Sequence, residues 1–133
     1  MNDAGASWEQ SYKAGYRDSN GRYAGGTEIM HLVPHKGKLY AANGYWTDSR
    51  WLVDYEERQS AQVLRLDSSD GQWEVDLEMG EANGKGRRYM KGNILKSVTF
   101  THDGSGDELP EPENLLVMSA GAYYGDQKGV VSA

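Results

Sequence analysis

The chain contains no cysteine. That excludes a disulfide framework, a thiolate metal site and a cysteine nucleophile, and it leaves the compartment open. No apolar run approaches the roughly 18 residues of a membrane-spanning helix, so no membrane partner is expected. No long window places apolar residues at i, i+3, i+4 and i+7, which argues against amphipathic helices. Lys and Arg are scattered and the net charge is -6, so duplex nucleic acid is not an expected partner. The first residues lack the charged and apolar regions of a secretory signal, and a mature secreted or periplasmic chain and a cytosolic one both fit. G-x-S-x-G, P-loop and dinucleotide fingerprints are missing. His31, His35 and His102 lack the close spacing of a zinc motif. Asp18 and Asn20 begin like a calcium loop, but the later ligands are absent, and Asn20-Gly21 reads as a turn. No metal and no cofactor is expected.

Glycine, tyrosine and tryptophan are plentiful, with 17, 9 and 4 residues, against a single phenylalanine. That mixture suits short strands and tight turns. The chain also matches itself. "WEQSYKAGYRDSNGRYAGGTEIMHLV" from Trp8 aligns with "WEVDLEMGEANGKGRRYMKGNILKSV" from Trp73. Trp8-Glu9 matches Trp73-Glu74, Gly15 matches Gly80, Arg22-Tyr23 matches Arg88-Tyr89, Gly26 matches Gly92, and Ile29 falls near Ile94. The offset stays near about 66 residues. "HKG" at His35 is echoed by "HDG" at His102, and "LYAANGYW" from Leu39 by "LVMSAGAY" from Leu116, after an acidic, proline-containing insertion "DELPEPEN". "QVLRL" at Gln62 is echoed by "GVVSA" at Gly129. Residues 1–72 form the first repeat and 73–133 the second.

Each repeat holds four strand-like runs. "EIMHLV" leads through the "HKG" turn into "KLYAANGYW", and "AQVLRLD" and "QWEVDLEM" flank "SSDG". Asp70-Gly71 predicts a type I′ hairpin turn. "WEVDLEM" alternates Trp73, Val75, Leu77 and Met79 with acidic residues, a period of two that buries one face. "EIMHLV" and "NILKSVTF" are more continuously apolar or small, as strands covered on both faces should be. "WEQSYKAG" reads as an outermost strand.

Four antiparallel strands per unit, with the unit repeated, resembles the blade of a β-propeller. The fold class expected is therefore all-β, with antiparallel four-stranded propeller blades. The strand order would be d, then a-b-c-d, then a-b-c, giving about two blades. The "DSSDGQW" hairpin is similar to the Asp-box of sialidase-type propellers, but its Asp-to-Gly-to-Trp spacing is compressed, so no sialidase activity is carried over. A two-sheet β-sandwich is the alternative fold. A propeller usually closes with about four to eight blades. The resemblance thus implies partners: further blades from the same parent protein or from identical subunits.

The propeller arrangement would gather the d–a and b–c connections at one face. Those connections carry Arg22, Tyr23, Tyr45, Trp46, Asp48, Arg50, Trp51, Asp54, Arg88, Tyr89, Tyr123 and Tyr124. Aromatic rings beside charged groups suit stacking and charge-assisted hydrogen bonds to a saccharide or small anionic ligand. Arg22 and Arg88 could clamp an anion. Because the Arg-Tyr pair recurs, the architectural reading is favoured over the clamp, with Arg capping loop carbonyls or pairing with a carboxylate and Tyr filling between blades. The Tyr45–Arg58 loop does not recur at equal length, which favours a specific binding role. The function expected is a binding and assembly module. The alternative is part of a propeller-type saccharide hydrolase or lyase completed by other blades.

Overall fold

The computed structural model describes residues 7–45, 60–82 and 87–122. Among them there is no helix, and the strands are β1 (Tyr16–Arg17), β2 (Tyr23–Ala24), β3 (Glu28–His35), β4 (Lys38–Gly44), β5 (Gln62–Leu66), β6 (Glu74–Glu78), β7 (Glu81–Ala82), β8 (Arg87–His102) and β9 (Glu108–Ala122). The protein is all-β and every pairing is antiparallel.

Strands β3, β4, β5 and β6 pair in chain order as a meander. The first turn is as expected: Lys36 and Gly37 both have positive φ, 46° and 76°, the type I′ geometry that matches the twist of a hairpin. The Asp70-Gly71 expectation is corrected. Neither residue has positive φ among the described residues, and Gly71 N donates to Ser68 O at 3.0 Å. Ser69 and Asp70 are the central residues of that turn, and Gly71 closes it.

The sheet alternates cleanly through β4 and β5. Ala41, Leu64 and Leu66 face one side with Trp73, Val75 and Ala24, where Tyr12, Tyr16 and Leu39 pack. Ala42 and Val63 face the other side, against Leu95, Leu116 and Met118. The period of two breaks in β6. A register shift between Val63 and Leu64 sets Val75 opposite Leu64 but Leu77 opposite Val63. Trp73 and Val75 are therefore buried, while Leu77 turns to the other face and stays 48% exposed.

"WEQSYKAG" is not a strand. Residues 7–13 make no ladder, and Trp8 is 94% exposed whereas its sequence match Trp73 is 4% exposed. Side chains hold the segment instead: Tyr12 Oη donates to Gly25 O at 2.5 Å and Tyr16 Oη to Trp73 O at 2.6 Å. Gly15, at φ 103°, turns the chain into β1.

Strand β8 joins the meander only at its start, where Lys91 faces Gly44, Tyr45 N donates to Met90 O (2.9 Å) and Ala61 N donates to Tyr89 O (2.6 Å). The large sheet curls into a half-barrel, and the β8–β9 hairpin lies across the meander. His31 Nε2 sits 2.7 Å from Asn93 O and His35 Nδ1 2.9 Å from Ser97 Oγ.

"DELPEPEN" is a strand rather than an inserted loop. The turn spans Asp103–Asp107, and Glu108–Asn114 continue β9. Asp103 Oδ1 caps that turn, accepting from Ser105 N and Asp107 N at 2.8 and 3.0 Å.

The β3–β4 and β8–β9 hairpins share one pattern of rungs. In the first, Glu28–Gly44, Ile29–Asn43 and His31–Ala42 pair around a bulge at Met30. In the second, Lys91–Gly121, Gly92–Ala120 and Ile94–Ser119 pair around a bulge at Asn93. The next four rungs also correspond, from Leu32–Ala41 and Leu95–Met118 to His35–Lys38 and Val98–Leu115. By this register Ile29 stands where Gly92 does, so its sequence match to Ile94 falls on the opposite face. The strands expected to be covered on both sides are covered on one: Leu32 is 57% and Ile94 47% exposed.

Candidate functional site

One end of the meander collects the start of β3, the end of β4, the start of β5, the end of β6 and the start of β8. A buried amide network ties it together. Asn43 Nδ2 donates to Gly25 O (2.8 Å) and to Gln62 Oε1 (3.2 Å), and Asn43 Oδ1 accepts from Gln62 N (2.6 Å). Gln62 Oε1 also accepts from Gly25 N at 3.0 Å, and Gln62 Nε2 donates to Tyr23 O at 2.7 Å. Both amides are buried and each of their nitrogen and oxygen atoms has a partner, which removes a penalty of about 1–3 kcal/mol for each polar atom otherwise left alone. Gly26 lies over Asn43 at φ 103°, and a Cβ there would meet Asn43 Nδ2 at 2.9 Å. Glycine is required by shape and by backbone conformation together.

Three tyrosines gather at this end. Burial pushes the Tyr12 phenol up to about 12, with Tyr16 adding to the effect. Burial also raises Tyr45 well above the ordinary phenol range, and Tyr23, Tyr12 and Glu78 reinforce the rise. Tyr23 is exposed at the surface. Ser60 Oγ, next to Glu78 Oε1 (3.4 Å), accepts from Gly80 N at 2.9 Å. At the adjoining strand ends Lys91 Nζ pairs with Glu28 Oε1 at 3.6 Å. Tyr12 gives its one hydroxyl proton to Gly25 O, so what the cluster presents is the Tyr45 phenol, the exposed Tyr23 ring and the carboxylates Glu28 and Glu78. Among the described residues no group of three or more His, Asp or Glu side chains could hold a metal ion.

Of the residues singled out from the sequence, Tyr23 and Tyr45 come together here. Tyr89 is in β8 at the same strand ends, with its carbonyl bound to Ala61 N. Arg22 lies apart from them. Its Nε is 3.5 Å from Asp18 Oδ2, in a tight turn beside the start of β6. Asp18 Oδ1 accepts from Asn20 N (3.0 Å) and Arg22 N (2.8 Å), and Oδ2 accepts from Val75 N (2.9 Å). Burial raises this carboxyl, but those three N–H donors and the Arg22 charge outweigh it and hold it below the usual range. Arg88 is described in its backbone alone, paired with Glu81. Trp46, Asp48, Arg50, Trp51, Asp54, Tyr123 and Tyr124 lie outside the described residues.

Sequence reading missed Tyr12, Asn43, Gln62 and Glu78. Tyr12 stands in a polar run with no periodicity, and the two amides acquire a role only once β4 and β5 pair. No family model matches the chain, and neither does any curated protein or solved structure.

Proposed function

We propose that this chain is a binding and assembly module of β-propeller type, and that it takes a small polar ligand, a carbohydrate by preference, at the strand-end cluster of Tyr23, Tyr45 and Glu78, which Tyr12 supports from beneath. The observation that carries this reading is the convergence of tyrosines and carboxylates on one end of the sheet. A sugar presents hydroxyls that match phenols and carboxylates, and its apolar ring face matches an exposed aromatic ring. The amide network beneath fixes the strands that position these groups. Tyr23 supplies the open ring, and Glu78 and Tyr45 supply the polar contacts. A glycan array probed with the full chain tests this. Binding of a defined set of sugars, weakened at least about tenfold by Tyr23→Ala, is expected. An array with no signal, or binding indifferent to Tyr23→Ala and Glu78→Gln, rejects it.

A further inference from the structure

The rungs of the two hairpins define equivalent faces. In the first hairpin His31, Val33, Tyr40 and Ala42 form one face, and Ile29, Leu32, Leu39 and Ala41 the other. In the second, the equivalents of the former are Ile94, Lys96, Val117 and Ser119, and those of the latter are Gly92, Leu95, Leu116 and Met118. Inside the chain the latter face of the second hairpin covers the former face of the first: Leu95, Leu116 and Met118 pack with Val33, Tyr40 and Ala42. The contact is head to tail, joining two different faces of two equivalent units.

The second hairpin keeps its outer face open, and the first keeps Leu32, the equivalent of Leu95, while Leu39 and Ala41, the equivalents of Leu116 and Met118, are packed in the core. On the second hairpin Ile94, Val117 and Leu115 are exposed, with Val98 half-buried between them. On the first, residues 12–24 cover the β4 half of the opposite face through Tyr12, Tyr16 and Ala24. The β3 stripe of Ile29, Leu32 and Pro34 is left open. On the second hairpin Lys96, opposite Val117, and Ser119 stand among these apolar groups, and exposed apolar surface rimmed by polar residues marks interaction sites. The polar anchors of the internal contact are absent from the open face. Where His31 and His35 reach Asn93 O and Ser97 Oγ, the second hairpin has Ile94 and Val98. An approaching apolar stripe would leave no imidazole unpaired there.

We propose that the open face of β8–β9 seats a second copy of this chain, which docks through its own β3 stripe of Ile29, Leu32 and Pro34. A junction of two unlike surfaces leaves each end of the pair open, so copies add onward, closing into a ring where the rotation between them allows it. This deepens the assembly part of the proposed function and rests on it.

Sedimentation velocity of the full chain across a concentration series provides the test. Mass rising with concentration past a dimer is expected. Val117→Lys and Leu32→Glu each sit on one of the two surfaces, and each alone should weaken association about tenfold or more. Mixed together they should form a pair and stop, because one copy keeps its β3 stripe and the other its β8–β9 face. Both positions are exposed, and circular dichroism with thermal unfolding confirms folding. Ser119→Arg serves as a second variant on the β8–β9 face. A parent chain that stays monomeric at every concentration overturns the proposal. So does a dimer that Leu32→Glu leaves intact, since it would join like faces. The two readings fail separately: Tyr23→Ala alters sugar binding without altering mass, and Val117→Lys does the reverse.

Discussion

In the β3–β4 hairpin Val33 faces Tyr40 beneath Leu95 and Met118; in β8–β9 the equivalent rung sets Lys96 opposite Val117 in solvent. Over the shared rungs the ladders match, bulge for bulge, so the backbone there does not distinguish the two. The difference lies in what is laid over them. The first hairpin sits inside a meander, with tyrosines on one face and a second hairpin on the other. Among the described residues the second hairpin is covered on one face only, where Leu95 packs on the meander. A β-hairpin is therefore core or surface according to its neighbour, and a residue type tolerated by the ladder says little about its burial.

The largest contrast is expected at the aligned tryptophans. Trp73→Ala empties a site packed by Tyr12, Leu64 and Val75 and should cost about 3–5 kcal/mol in denaturant unfolding. Trp8→Ala should stay within about 0.5 kcal/mol. Equal losses would mean that residues 7–13 pack on the sheet in solution.

Next come two glycines on opposite faces of the second hairpin. A Cβ at Gly92 would meet Met118 Cε at 2.7 Å and Ala42 Cβ at 2.8 Å, and Gly92→Ala should cost about 1–3 kcal/mol. A Cβ at Gly121 would meet only the Asn93 amide, at 2.8 Å. That side chain is free to swing, so Gly121→Ala should cost less than about 1 kcal/mol. A reversed order in thermal midpoints would contradict the assignment of covered and open faces.

The pH dependence separates the same regions. The Tyr12 pKa is raised in the folded state, so its neutral form is favoured there. Its contribution is fully present below the ordinary phenol value of 10.0 and is lost as pH climbs from there towards about 12. Tyr12→Phe should flatten that alkaline loss in urea midpoints. Asp18 is lowered, so its contribution is present above the ordinary carboxylate value of 3.8 and fades as pH falls below it. Asp18→Asn should remove the acid-side slope, and an unchanged slope would rule that attribution out. Neither group belongs to β8–β9.

The smallest effect is expected from shortening the second hairpin to the size of the first. Beyond the Val98–Leu115 rung, the pairs Thr99–Asn114, Phe100–Glu113 and His102–Glu108 form an exposed extension. Joining Val98 to Leu115 through Asn-Gly should change stability by less than about 1 kcal/mol. A loss well above that, read as a fall in thermal midpoint, would show that the extension supports the core.

Local chemistry made part of this legible. Strand period and the glycine-containing "HKG" turn identified the meander and its first turn, because both depend on residues adjacent in sequence. The Asn-Gly turn at Asn20 was readable for the same reason. The strand role of "DELPEPEN" was not: proline and acidic residues signal a loop, yet an exposed edge strand tolerates both. Of the tyrosine cluster, Tyr23 and Tyr45 were legible as aromatic residues in expected connections. Asn43 and Gln62 were not, since a polar side chain shows its partner only after distant strands pair.

The sequence by itself determined that the chain is all-β, which stretches form the meander, and that two segments would adopt similar hairpins. Those are properties of periodicity, turn residues and self-similarity. Tertiary structure decided which hairpin is covered, that Trp73 is core while Trp8 is exposed, and that Arg22 pairs with Asp18 away from the tyrosine cluster. Burial is a property of the whole packed surface, and a bulge of one residue, as at Leu77, is enough to send an apolar side chain to the other face.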